Sequence, residues 1–372
     1  MKQTPIQKLK LLSTLRLPPA AAVPDALELV ESLIGGKGSL LLWSNASGDV
    51  AGGYSSLIGM EDGLAHYASQ FSNTQYEREL GGTTFQEELE NGIPAERLYD
   101  VLQVSPAEFR KTDVYQVMMA PYGIEDLIRV IVMDQGVPRG GLVVFRGPGE
   151  AAFGQRELDL MNQVAPLVGA LLRDTEDPEV PVIAAGRPTH AVFDAEARMR
   201  FCSSHFRQHL AMLNQSAPGG NSATRFTAAL PESIAGRVRQ LDDQPQTAVA
   251  SNAWGRFRLY LEPTDGEAHC SLVSIRMVPI NLQMFRSLHE QPLSDRQLQV
   301  ACALAESSAF HEMASDWEIS RHSVITHANH LYGKLGVANK DQLLNRYVWA
   351  SGLDQEWLGP SCIKGVTQRT YF

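Results

Sequence analysis

The residues whose types and spacing are best suited to chemistry lie between Ser320 and Gly336. In this segment Ser320 is a good N-cap residue, and apolar residues at helical spacing predict an inward helix face. That apolar face consists of Val324, Ala328, Leu331 and Leu335. On the opposite, more polar face, Asn329 can pair with both edge groups of an adenine in the major groove. We expect the helix to contact DNA through Arg321, His322, Ser323, Thr326, Asn329, His330 and Lys334.

The other polar residues of this helix have distinct expected roles. Thr326 can form a hydrogen bond with a base or contact a thymine methyl group. Arg321 and Lys334 lie near the two helix ends, where phosphates usually bind. Ile325 also belongs to the outer face, although its side chain is apolar. The pattern thus predicts both base and phosphate contacts.

Short helices with clear start and stop signals are predicted on both sides of this segment. Ser294 and Gln297 form a capping box, and a second helix covers about Phe310 to Trp317. Gly336 is a C′ glycine that ends the third helix, and Asn339 starts a fourth. Two helices joined by a tight turn, with the second presenting polar residues, are the helix-turn-helix plan.

The segment from Leu293 to Leu343 resembles, without a gap, the LuxR-type (FixJ/NarL-like) helix-turn-helix domain. The matching residues are Leu293, Ser294, Arg296, Val300, Leu304, Ala305, Glu306, Glu312, Met313, Ala314, Ile319, Ser320, Ser323, Val324, Thr326, His327, Lys334, Leu335, Gly336, Val337 and Asn339. The resemblance implies a DNA-binding transcription regulator. The family usually has Glu at Gln297, Gly at Ser307, and at Ile325 a Lys that commonly touches DNA.

The charge balance of this segment is unusual for a DNA-binding module. Its basic residues are Arg296, Arg321, Lys334 and Lys340. Its acidic residues are Asp295, Glu306, Glu312, Asp316, Glu318 and Asp341. Because phosphate contacts supply most non-specific affinity, we expect weak, salt-sensitive DNA binding by a monomer. Further charge could come from His311, His322, His327 and His330, whose pKa values lie near neutrality.

Two functions remain open for this segment. In the first, a homodimer reads an inverted repeat in double-stranded DNA. In the alternative, the acidic helix-turn-helix no longer binds DNA tightly and acts as a protein-interaction or anti-regulator module. A Lys introduced at Ile325 separates them, because it should strengthen only DNA binding.

The composition limits the class of protein. A chain of 372 residues predicts two or three domains, and the multidomain α+β class fits its pattern. The formal charge of −10 argues against general nucleic-acid coating or an anionic membrane as partner. The four cysteines have no C-x-x-C spacing, so no disulfide framework or metal site is predicted. The same cysteine pattern fits a reduced, cytoplasmic location. No apolar run is long enough to predict a transmembrane helix, and the N-terminus is interpreted as an amphipathic helix.

Residues 1–175 are similar to a GAF-like sensor domain, chiefly in the segments Phe109–Val132 and Phe153–Leu172. Sensor pockets are mostly apolar with a few polar anchors, so an unidentified small molecule is the expected ligand. The candidate ligand-binding residues are Trp43, Tyr54, Tyr67, Phe71, Tyr115, Met118, Met119 and Tyr122. The alternative is that these side chains simply fill the core.

Residues 181–280 resemble a degenerate PAS-like α/β domain, with a spacing and dimerisation role favoured over a second ligand site. An acidic linker at 174–180 precedes this domain. A linker helix at 281–292, the helix-turn-helix at 293–350 and a C-terminal tail at 351–372 follow it. No catalytic motif, metal site or cofactor signature is found in the sequence, so we expect a protein that is not an enzyme.

Overall fold

The computed structural model describes residues 3–173, 181–220, 229–264 and 268–349. These residues form two compact units. One unit comprises 3–173, 189–220, 229–264 and 268–274, and the other comprises 181–188 and 275–349. The predicted linker at 174–180 and the tail at 351–372 lie outside the described residues. In the described part of the chain, no helix has the length and apolar character needed to cross a membrane.

The first part of the larger unit contains an antiparallel sheet and the helices around it. Its elements are α1 (Pro5–Leu12), α2 (Val23–Ile34), β1 (Gly38–Ser44), β2 (Val50–Ser55), α3 (Glu61–His66), α4 (Gln75–Gly81), α5 (Phe85–Asn91), β3 (Glu96–Arg97), α6 (Leu98–Val101), α7 (Pro106–Phe109), β4 (Asp126–Asp134), β5 (Val137–Arg146) and α8 (Gln155–Leu171). Single π-helical turns follow α3 at Tyr67–Phe71 and precede β4 at Tyr115–Met119. The strand order is β2-β1-β5-β4-β3.

The sequence predicts a hairpin of strands at 127–133 and 141–146 around a turn at 134–136, and the pairing of β4 with β5 confirms it. One other strand boundary was wrong. Strands β4 and β5 meet at Gln135 and Gly136, whose φ angles of 50° and 83° are both positive, as in a type I′ turn. The sequence predicts a turn over 45–53, whereas β2 begins at Val50 and pairs with β1. The strand was missed because Gly52 and Gly53 weaken the β signal, and cross-strand pairing with β1 overrides that local preference.

A second antiparallel sheet follows along the chain. Its elements are β6 (Val182–Phe193), β7 (Met199–Cys202), α9 (Ser204–Leu213), α10 (Glu232–Arg239), β8 (Gln246–Asn252), β9 (Gly255–Pro263) and β10 (Cys270–Pro279). The sequence predicts a hairpin of 190–194 with 198–202, and β6 and β7 confirm it, with Ala191 opposite Cys202. The strand order is β7-β6-β10-β9-β8. If the five strands of each sheet are numbered from 1 to 5 along the chain, both sheets have the order 2-1-5-4-3. The two sheets therefore share one topology.

Aromatic side chains join elements of the two sheets inside the larger unit. Trp43 of β1 and Trp254, which precedes β9, are both fully buried, with ring centroids 5.6 Å apart. Tyr54 of β2 lies 5.6 Å from the same Trp254 ring. Gln215 donates from Nε2 to the Gly53 carbonyl at 2.7 Å and accepts from Trp254 Nε1 at 2.8 Å. These contacts satisfy the buried polar atoms of a mostly aromatic junction.

The smaller unit contains the predicted run of short helices. They are α11 (Ile280–Leu288), α12 (Asp295–Ala305), α13 (Phe310–Asp316), α14 (Arg321–Leu335) and α15 (Lys340–Leu344), with a π-helical turn at Asn345–Trp349. Ser294 and Gln297 form the predicted capping box, and Gly336 ends α14 with a φ of 62°. Helix α11 packs on this bundle, and the Ser287 hydroxyl donates to the Tyr347 carbonyl at 2.6 Å. The helical organisation expected from the sequence is confirmed.

Candidate nucleic-acid interface and ligand cavity

Helix α14 has one buried face and one exposed face. Ser320 caps its first turn by accepting a hydrogen bond from the Ser323 N–H at 3.0 Å. The residues predicted to face the core, Val324, Ala328, Leu331 and Leu335, are the buried ones. Among the residues predicted to contact DNA, the exposed ones are Arg321, His322, Asn329, His330 and Lys334. The structure therefore brings these polar side chains to the outer side of one helix.

Two of the predicted DNA-contacting residues already have partners within the helix. The hydroxyl of Thr326 donates to the His322 carbonyl at 2.9 Å, and Ser323 lies 2.8 Å, Oγ to Oγ, from Ser320. Both side chains are half-buried. The side-chain amide of Asn329, by contrast, has no hydrogen-bond partner in the described ranges. Its amide is therefore the best placed of these groups to read a base edge.

Lys334 is held against the start of α12. Its Nζ donates to the Pro292 carbonyl at 3.0 Å and to Gln297 Oε1 at 2.9 Å. Gln297 is therefore a neutral acceptor for Lys334, at a position where the resemblance implies Glu. A lysine that donates to two oxygens of its own chain has only one remaining N–H for a phosphate.

Three further basic residues of the bundle have environments that affect their charge or position. The guanidinium of Arg296 stacks over the Trp317 ring, 5.1 Å from its centroid. Burial, followed by the nearby Arg296 and His330, lowers the pKa of His327. Burial also lowers the pKa of Lys340. Arg321 is exposed at the start of α14.

A cavity of about 160 Å³ lies in the larger unit, between the first sheet and the helices that follow β2. Four of the predicted ligand-binding residues line it, namely Tyr67, Phe71, Met118 and Met119. Further apolar lining comes from residues such as Leu40, Leu42, Phe85, Leu98 and Phe109. A volume of this size accommodates a molecule of about one aromatic ring.

The other four candidate ligand-binding residues do not line this cavity. Trp43 and Tyr54 contact Trp254 instead, and Trp43 Nε1 donates to the Ser216 carbonyl at 2.9 Å. Tyr115 and Tyr122 pack against the hydrophobic core that surrounds the cavity. The structure thus divides the predicted set between a cavity, its surrounding core and a junction between sheets.

One end of the cavity is polar. Arg129 Nη2 lies 2.7 Å from a carboxylate oxygen of Glu88 and 2.7 Å from one of Glu96. The Tyr67 hydroxyl donates to Glu77 at 2.7 Å. Burial raises the pKa of the Glu88 carboxyl to about 7, although Arg129 beside it acts in the opposite direction. Burial likewise raises the pKa of Glu77, against the hydrogen bond from Tyr67.

Sequence reasoning missed these carboxylates, although helical spacing contains a signal for one of them. Glu88 and Leu89 follow Phe85 by three and four residues, so Glu88 lies on the apolar face of α5. A charged residue among apolar ones at that spacing is a candidate for a buried functional group. Among the described residues, no cluster of histidine, cysteine, aspartate and glutamate could hold a metal ion.

Comparison with known proteins identifies the smaller unit. The family described as bacterial regulatory proteins, luxR family, matches residues 291–346. Curated proteins give no significant match. Among solved structures, the VqsR LBD domain from Pseudomonas aeruginosa is 18% identical over 41% of this chain and 87% of its own, with a TM-score of 0.27.

Two further solved structures show similarly low likeness. The Vibrio cholerae VqmA–ligand–DNA complex is 13% identical over 43% of this chain and 81% of its own, with a TM-score of 0.23. The Escherichia coli DhaR(N)–DhaL complex is 14% identical over 73% and 87%, with a TM-score of 0.24. Such scores establish neither fold nor function, whereas the family match coincides with the capped bundle and its exposed polar helix. Residues 291–346 are a helix-turn-helix domain of the LuxR family of bacterial regulatory proteins.

Proposed function

We propose that this chain is a cytoplasmic transcription regulator that binds DNA through α14 and senses a small molecule in the cavity of its larger unit. The observation that carries the proposal is the LuxR-family match over a bundle whose third helix exposes Asn329, His330 and Arg321. The VqmA structure is described as a complex with ligand and DNA, and the VqsR structure as an LBD domain. Both descriptions agree with this proposal.

DNA recognition in this proposal combines base reading with few phosphate contacts. Asn329 pairs with adenine, Thr326 contacts a neighbouring base, and Arg321 approaches a phosphate. Ser323, His322, His330 and Lys334 complete the proposed interface. Because one domain supplies so few cations, two domains in a homodimer would bind successive major grooves of an inverted repeat.

The sensing step is proposed as a shift between dimer arrangements. A ligand shifts the equilibrium between two arrangements by the difference in its binding free energy to each of them. Helix α11, which precedes α12 and packs on the bundle, is the element through which such a change would reach the DNA-binding domain. The proposal includes no catalytic step.

Capture of genomic DNA fragments by the purified full-length protein, at low and moderate salt, tests this function. A shared inverted repeat is expected, and the double variant Asn329→Ala/Thr326→Ala should lose it. The control Asn345→Ala removes an exposed amide outside α14 and should retain the repeat. No enrichment at either salt, or equal operator affinity of monomer and dimer, would contradict the proposal.

A second candidate is a protein-interaction module. It is favoured by the acidic balance of residues 293–343 and by the intramolecular bonds that hold Lys334. In that case α14 contacts another regulator through its polar face. Such a protein would not enrich DNA in the capture experiment, and added positive charge on α14 would not create DNA affinity.

A further inference from the structure

The cavity in the larger unit is small and mostly apolar, which limits the size of any occupant. Its volume of about 160 Å³ is close to that of an engineered cavity of about 150 Å³ that binds benzene. The apolar lining favours a hydrocarbon ring or a short chain, because burial of apolar surface drives such binding. A large lipid-like or nucleotide-like ligand does not fit this space.

The polar end of the cavity carries more acidic than basic groups. Glu77, Glu88 and Glu96 line it, and Arg129 is the basic residue among the lining side chains. Arg129 is already paired with Glu88 and Glu96, so it has little capacity left for an anionic ligand. The carboxylate of Glu77 already accepts three hydrogen bonds. Its donors are the Tyr67 hydroxyl and the backbone N–H groups of Asn73 and Phe85, the last two at 2.7 and 3.0 Å.

Glu88 retains an oxygen for a ligand. Its side chain is only 6% exposed and lines the cavity. One oxygen, Oε1, accepts from Thr83 at 2.9 Å and pairs with Arg129. The other, Oε2, accepts no hydrogen bond from the residues that the structure describes. Because Glu88 lines the cavity, a ligand there can supply the donor that this oxygen lacks, and a charge-assisted hydrogen bond would stabilise the complex.

We propose that the cavity binds a small amine, with its ammonium group on Glu88 Oε2 and a single ring or short apolar chain among the apolar lining residues. This rests on the proposed function only in taking the cavity to be the sensing site. The ammonium would neutralise the excess acidic charge, whereas a carboxylate or phosphate would face Glu77 and Glu88 without a free cation.

Binding of three matched probes to the full-length protein, measured by calorimetry, tests this ligand class. The probes are 2-phenylethylamine, 2-phenylethanol and 3-phenylpropanoate, which share a ring and differ in head-group charge. The amine is expected to bind most tightly and the anion least. Glu88→Gln should weaken amine binding roughly tenfold or more and leave the alcohol nearly unchanged.

Glu87→Gln is the matched control. It is the same substitution one residue earlier on α5, where Glu87 pairs with Arg78 and does not line the cavity. Its capping role survives, because Gln also serves at that position. Urea unfolding of both variants verifies that they remain folded, so a loss of amine affinity in Glu88→Gln alone supports the site.

The pH dependence supplies a second readout. Because Glu88 ionises near pH 7, amine affinity should rise as the pH increases through about 7, and this rise should vanish in Glu88→Gln. The groups that interact with Glu88 are Arg129, Glu77, Glu96, Thr83 and Tyr67, and all are unchanged in that variant.

Outcomes against the ligand class differ from outcomes against the proposed function. Tighter binding of the alcohol or the anion, or no binding of any probe, would overturn the amine assignment. Neither result affects the capture of DNA by the same protein, which tests regulation separately. Amine binding to a protein that never enriches DNA would instead support the ligand class and contradict the proposed regulator.

Discussion

At the scale of single residues, the acidic groups buried near the cavity are the main departure from ordinary core composition. Glu88 and Glu77 are each 6% exposed, yet the short helix of each also buries leucine, and that of Glu88 buries phenylalanine as well. Carboxylates are rarely this buried without partners, and each has Arg129, Tyr67 or backbone N–H groups nearby. The stability of the larger unit should therefore respond to pH.

Glu88→Gln should remove part of that response. The pKa of Glu88 is about 7 in the folded protein and near 4.5 when unfolded, so the folded state binds the proton more tightly. The stabilisation is fully present below pH 4.5 and is lost as the pH rises through 7. Roughly 3 kcal/mol of unfolding free energy is involved, as an upper estimate.

Urea unfolding at several pH values between these limits measures the effect. The wild-type protein should lose stability as the pH rises across the interval, and Glu88→Gln should show a shallower loss. Glu77 contributes in the same direction, because its pKa is also raised, so some slope remains in the variant. An unchanged slope would mean that Glu88 titrates normally in the folded protein.

Ser307 is a second residue whose conformation differs from what its type prefers. It follows α12 with a φ of 68°, in the left-handed region that glycine adopts without steric cost. The family usually has glycine at this position, so the backbone keeps the family's turn with a less suitable residue. Ser307→Gly should stabilise the smaller unit by about 1 kcal/mol. Urea unfolding measures this, and Ser308→Gly, which lacks a positive φ, should not stabilise.

At the scale of elements, the exposed face of α14 determines how strongly the domain attracts DNA. Ile325 is half-buried on this helix, and Lys334 is bound to Pro292 and Gln297. Ile325→Lys should therefore strengthen binding to a captured operator and steepen the dependence of log K on log salt by roughly 0.9 per protomer. Fluorescence anisotropy over a salt series measures both quantities.

Asn345→Lys adds the same charge to the same domain outside α14, so it serves as control. A uniform electrostatic effect would change both variants equally. If neither variant binds DNA more tightly than the wild type, the protein-interaction function gains support. A selective effect of Ile325→Lys would show that α14 faces the phosphate backbone.

The helix-turn-helix was predictable from sequence because its signals are local. Ser294, Gly336 and Asn339 mark helix ends by capping chemistry, and the stripe through Val324 and Ala328 marks the buried face. Capping and helical spacing act within a few residues, so no knowledge of distant contacts was needed.

The division of the first sheet into a cavity face and a junction face could not be predicted in this way. All seven residues of β1 are buried, so the strand has no alternation of polar and apolar side chains. Leu40 and Leu42 line the cavity, whereas Trp43 contacts Trp254, more than two hundred residues later in the sequence. A strand buried on both faces gives no sequence signal for which face meets which partner.

At the scale of the whole molecule, buried side chains within the larger unit join the first sheet to the part of the second sheet that belongs to this unit. Gln215 and Trp254 bond to each other, while Gln215 bonds to Gly53 and Trp254 packs on Trp43 and Tyr54. The Ala20 N–H adds a bond to the Ala253 carbonyl at 2.8 Å. Because β1 has Leu40 and Leu42 on the cavity and Trp43 on this junction, the two features share one strand.

Trp254→Ala should uncouple the unfolding of the two sheets. Loss of a buried tryptophan typically costs about 3–5 kcal/mol, and here the cost falls on the contacts that join the sheets. In the wild type, the amides of β1 and of β9 should exchange hydrogen through one cooperative opening, since both sheets contribute to the same buried junction. In the variant, the β9 amides should lose protection first, because the cavity core around β1 does not depend on Trp254.

Trp349→Ala, in the smaller unit, is the control and should leave both sets of amides protected. Equal loss of protection for β1 and β9 in Trp254→Ala would contradict this prediction. It would show that the two sheets unfold together even without the tryptophan at their junction.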